Sequence, residues 1–85
     1  MHANALDINL RILDAIETAL LTYEIDPVIA YLNEDYELRL DRTEWINNLG
    51  HVLEYFEAIE DYNKCTAVVT LLKKVKTFLG KDLVN

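Results

Sequence analysis

Three stretches of this chain space their apolar residues at the period of an α-helix, and only one proline and two glycines punctuate the sequence. That spacing gathers apolar side chains along one side of each helix, and the side has to be buried against something. Helix packed on helix is the simplest solution. The first stretch carries Leu6, Leu10, Leu13, Ile16 and Leu20, with Asn4 or Asp7 available as a cap, and predicts a helix over residues 5–24.

A second long helix is announced by Asp41-Arg42-Thr43-Glu44, an acid followed three residues later by Glu just ahead of a periodic run. Trp45, Leu49, Val52, Phe56 and Ile59 fall in a narrow arc, with Asn47, Glu54 and Asp61 opposite. Gly50 costs this helix about 1 kcal/mol relative to alanine, and a close helix crossing would explain its presence. After a turn near 60–62, the last helix places Val68, Leu71, Leu72, Val75, Phe78 and Leu79 on one face. Gly80 stands as its terminator, and Lys73, Lys74 and Lys76 fall where the helix dipole favours cations.

Between the first and second long helices the pattern changes. Asp26-Pro27 suggests a cap and first position of a short helix through Val28, Ile29, Tyr31 and Leu32, ending near 33–35. Tyr36-Glu37-Leu38-Arg39-Leu40-Asp41 alternates apolar and polar, as a half-buried strand does. No second clean alternation offers it a partner, so an extended connector is expected over residues 36–41, ahead of pairing between molecules. The expected class is all-α: one domain over residues 1–85, a small irregular antiparallel bundle of three long helices plus one short helix.

Charge divides the chain in two. Residues 1–63 hold fourteen carboxylates against three arginines, a net −11, while residues 64–85 hold five lysines against Asp82, a net +4. The whole chain carries −7, which opposes direct binding of nucleic acid or of anionic membrane. No signal peptide is expected after Met1-His2-Ala3-Asn4, no apolar run is long enough to span a membrane, and a cytoplasmic setting is the natural expectation.

Catalysis finds little support. The chain has no serine, its one cysteine lies in the apolar run after Lys64, and His2 and His51 stand apart from each other. No catalytic residue, metal ligand or cofactor site is therefore assigned. Cys65 is expected to serve as a small core hydrophobe.

Two surfaces suggest binding instead. On the first helix, apolar positions spread past half the circumference and leave only a strip of Asp7, Arg11, Asp14 and Thr18. Either the short second helix covers the surplus, or a partner does through Ile8, Ile12, Ala19 and Tyr23. Glu54, Glu57 and Asp61, three and four residues apart, form a stripe of negative charge. That stripe can keep the domain soluble, meet a basic protein, or imitate a nucleic acid backbone. Tyr31, Tyr36 and Trp45 add candidate interface anchors, though aromatic residues equally suit the edge of a core.

The segment Phe56-Glu57-Ala58-Ile59-Glu60-Asp61-Tyr62-Asn63-Lys64-Cys65-Thr66-Ala67 resembles the helical hairpin of UVR-type motifs, in which an acidic-aromatic turn precedes a helix of small residues. It covers under a third of the chain, and Val69-Thr70 stand where those motifs have Arg-Asp. The resemblance implies a protein-docking hairpin. The expected role is thus a small acidic interaction domain, a homo-oligomeric adaptor or an inhibitor of a larger basic protein. The alternative is a nucleic-acid mimic that blocks a DNA- or RNA-binding protein.

Overall fold

Asn4 opens the first helix as expected. Its side-chain oxygen accepts the backbone N–H of Asp7 at 2.8 Å, and helix α1 then runs over Ala5–Thr22. The computed structural model describes residues 4–24, 26–31 and 37–84. Helix α1 stops at Tyr23, which adopts the left-handed conformation (φ 60°), and the N–H groups of Tyr23 and Glu24 both donate to the Ala19 carbonyl.

The predicted short helix is a strand. Strand β1 (Val28–Tyr31) pairs antiparallel with strand β2 (Glu37–Arg39), with Val28 opposite Arg39, Ala30 opposite Leu38 and Tyr31 opposite Glu37. Pairing skips Ile29, the extra residue of a bulge, so β1 has no need of a strict two-residue alternation. A four-residue run of Val, Ile, Ala and Tyr suits a pleated ribbon, whereas a helix that short is marginal. Residues 37–39 therefore form a paired strand, and the rest of the expected connector is Leu40 and Asp41, with Tyr36 outside the described residues.

The hairpin is tied down at its open end. Leu40 donates its N–H to the Pro27 carbonyl at 2.9 Å, and Arg39 reaches the Asp26 carbonyl at 3.1 Å and the Glu37 carboxylate at 2.6 Å. All three residues of β2 are exposed, so these links and the buried Leu40 side chain attach the ribbon to the body.

Asp41 then caps a 3-10 turn, Arg42–Glu44, accepting from the Thr43 N–H at 2.8 Å and the Thr43 hydroxyl at 2.7 Å. Helix α2 (Trp45–Ala58) follows, and helix α3 runs over Tyr62–Val84. Trp45, at the start of α2, stacks on Phe78, late in α3, with ring centroids 6.2 Å apart, so the two helices run antiparallel. The fold is mostly helical, with three α-helices and a two-stranded sheet among the described residues.

The core is the expected one along α2 and α3. Trp45, Leu49, Val52, Phe56, Val68, Leu71 and Val75 are buried and meet Leu13, Ile16, Ala19 and Leu40. Ile59 is exposed instead, because α2 has already ended. Neither glycine behaves as expected. A Cβ on Gly50 would meet nothing within 4 Å, so no helix crosses there; Gly80 lies inside α3, which continues to Val84.

The turn between α2 and α3 is built without glycine. Glu60 takes the left-handed conformation (φ 59°) and donates to the Glu57 carbonyl at 3.0 Å, while Asp61 donates to the Phe56 carbonyl at 2.9 Å. These two bonds form a Schellman motif. Asp61 also caps α3, its carboxylate accepting the Lys64 N–H at 3.2 Å.

Candidate functional site

The apolar surplus of α1 is largely consumed inside the molecule. The helix packs against α2, α3 and β1, and three neighbours bury a wider arc than one neighbour could. Its buried residues are Leu13, Ala15, Ile16 and Ala19. Ala19 is fully enclosed and has no surface left for a partner, so it leaves the expected interface. Ile12 packs at the edge of the core. Ile8 (43% exposed) and Tyr23 (77%) face solvent, but they lie near opposite ends of the helix. The expected interface face was thus centred on the arc that the chain itself covers.

The exposed apolar residue that stands out is Leu21, 82% accessible on the last turn of α1. Beside it an open groove of about 370 Å³ runs between α1 and α3. Leu20, Ala67 and Leu71 line it, with Glu17 on the α1 side and Lys74 on the α3 side. Apolar periodicity alone carries no signal for this groove, because Leu20 and Leu21 differ from their buried neighbours only in which side of α1 they occupy.

The acidic stripe is also thinner than expected. Glu54 and Glu57 are exposed, whereas Asp61 is half-buried and its carboxylate is engaged in capping. His51 Nδ1 lies 3.9 Å from Glu54, both side chains solvated, which is an exposed ion pair of little energetic weight when the imidazole is charged. Trp45 is core, with its indole N–H donating to the Leu40 carbonyl at 2.9 Å, so it is not an interface anchor. The side chain of Tyr31 and the whole of Tyr36 lie outside the described residues.

Cys65 is half-buried against the core. Desolvation raises its pKa, and the Glu57 and Asp61 carboxylates raise it further. The thiol is held in its unreactive protonated form at neutral pH. Among the described residues no three His, Cys, Asp or Glu side chains gather as a metal site would require, and no buried side-chain polar atom is left without a hydrogen bond. No described helix is long and apolar enough to cross a membrane.

The lysines of α3 lose their simple explanation. With α3 ending at Val84, Lys73, Lys74 and Lys76 lie at least two turns from its C-terminus, beyond the reach of the dipole. None of the three forms an ion pair with another described residue, Asp41 and Glu44 included.

No protein-family model, curated protein or solved structure matches the chain.

Proposed function

We propose that this chain is a small acidic protein-interaction domain that works as a homo-oligomer, with its α2 carboxylates free to meet a basic protein. The observation that carries the reading is the apolar surface that α1 leaves open: Leu21 is 82% exposed beside the groove between α1 and α3, and Ile8 faces solvent on the same helix.

An adaptor or inhibitor role in a cytoplasmic setting suits a domain whose exposed features are apolar residues on α1 and carboxylates on α2. The nucleic-acid mimic has less support, since the acidic stripe loses Asp61 to the α3 cap. Light scattering at tens of micromolar, at low and at high salt, tests the reading. A mass of twice 9.9 kDa or more, retained at high salt, is the expected result. A monomer mass under both conditions overturns it.

A further inference from the structure

The α1–α3 groove has a composition that a second copy of the same chain would satisfy. One rim carries an acid, Glu17, the other a base, Lys74, and neither has an ion partner among the described residues. A two-fold axis running along such a groove lays α1 of one copy over α3 of the other and so sets each acid against the other copy's base. The apolar elements obey the same symmetry: Leu21 stands proud at the rim while Leu20, Ala67 and Leu71 leave an open floor beside it. A projecting side chain next to an apolar recess is the self-complementary pair that a two-fold interface requires.

From these observations we infer that the α1–α3 groove is a two-fold homodimer interface. Leu21 of each copy covers the floor formed by Leu20, Ala67 and Leu71 of the other. Glu17 of each copy faces Lys74 of the other, which gives one of the unexplained lysines of α3 a partner. The inference rests on the self-association proposed above and adds where it occurs.

Sedimentation equilibrium on the full chain tests it, with circular dichroism to confirm that each variant is folded. Leu21 is 82% exposed in the monomer, so Leu21→Asp should leave the fold intact while weakening dimerisation by about 100-fold, as loss of a central anchor does. Glu17→Lys and Lys74→Glu should each weaken it by about fivefold, and the double exchange should restore it, because the pair is re-formed with its signs reversed. A folded Leu21→Asp chain that still dimerises at wild-type strength overturns the groove as the interface and leaves self-association standing. Failure of the double exchange to recover what the single changes lose overturns the two-fold pairing. A wild-type monomer overturns the groove and the self-association together.

Discussion

Residues 45–84 and residues 4–40 reach their places by different means. The α2–α3 hairpin is built from two helices joined by a turn that caps both of them, and six of its side chains, from Trp45 to Val75, are fully enclosed. The earlier region is attached rather than self-sufficient: α1 encloses only Ile16 and Ala19 to that extent, and the hairpin that follows exposes all of β2. The difference teaches that one apolar arc per helix produces a defined partner, whereas a wide arc produces a helix that must find several.

The sharpest way to break this comparison uses one substitution in both regions. Leu49→Ala, in the fully enclosed part of α2, should cost near the upper end of the roughly 2–5 kcal/mol range for buried leucines. Leu13→Ala, at the edge of α1's buried face, should cost near the lower end. Urea denaturation of the two variants provides the measurement, and equal losses would show that the regions share one level of packing.

Next in size is the link between the regions. The indole N–H of Trp45 reaches the carbonyl of the buried Leu40, so Trp45→Phe keeps most of the ring contact with Phe78 but orphans that carbonyl. The expected loss is about 1–3 kcal/mol, with faster amide exchange at Leu40 and along β2 than in α3. Uniform acceleration over the whole chain would mean that the hairpin and the helices open as one unit.

A smaller effect of opposite sign is expected at Gly50. Nothing lies within 4 Å of the position a Cβ would occupy, so Gly50→Ala should stabilise by about 0.5–1 kcal/mol, read as a higher urea midpoint. Destabilisation would reveal a close approach at this face.

Smallest of all is the Asp41 cap, which joins the end of the hairpin to α2. Backbone and side-chain hydrogen bonds from Thr43 hold its pKa below the ordinary 3.8. Since the folded value is the lower one, the cap's contribution is complete above the ordinary value and disappears as pH falls through the folded one. An NMR titration should place the Asp41 midpoint below that of an unstructured peptide, and Thr43→Ala should move it upward.

Much of the α2–α3 region was legible in the sequence because Trp45, Leu49, Val52 and Phe56, and likewise Val68, Leu71 and Val75, each define a single arc. The earlier region was less so, for physical reasons. Val28-Ile29-Ala30-Tyr31 is a short apolar run whose periodicity fits helix or strand equally, and its pairing depends on residues 37–39 and on a bulge that no local pattern marks. On α1 Ala19 is fully enclosed beside Ile16, where a small side chain lets neighbours approach, yet its weak hydrophobicity made it the less obvious core. The groove at Leu21 was hidden because Leu20 and Leu21 differ from the buried residues of α1 only in the side of the helix they occupy. Punctuation misled as well: Tyr23 and Glu60 occupy the left-handed positions usually given to glycine, while Gly50 and Gly80 lie within helices.

The joint at Asp61 has a mechanical consequence. One residue closes the hydrogen bonding of α2 and opens that of α3, so no slack exists between the two helices. The rotational phase of α3 is therefore fixed by residue count. Inserting a single residue among 59–61 would advance that phase by about 100°, swinging Val68, Leu71 and Val75 away from α2 while leaving each helix intrinsically sound. Loop tips usually tolerate added length. This one works as a keyed coupling, and the apolar seam between α2 and α3 depends on its count staying unchanged.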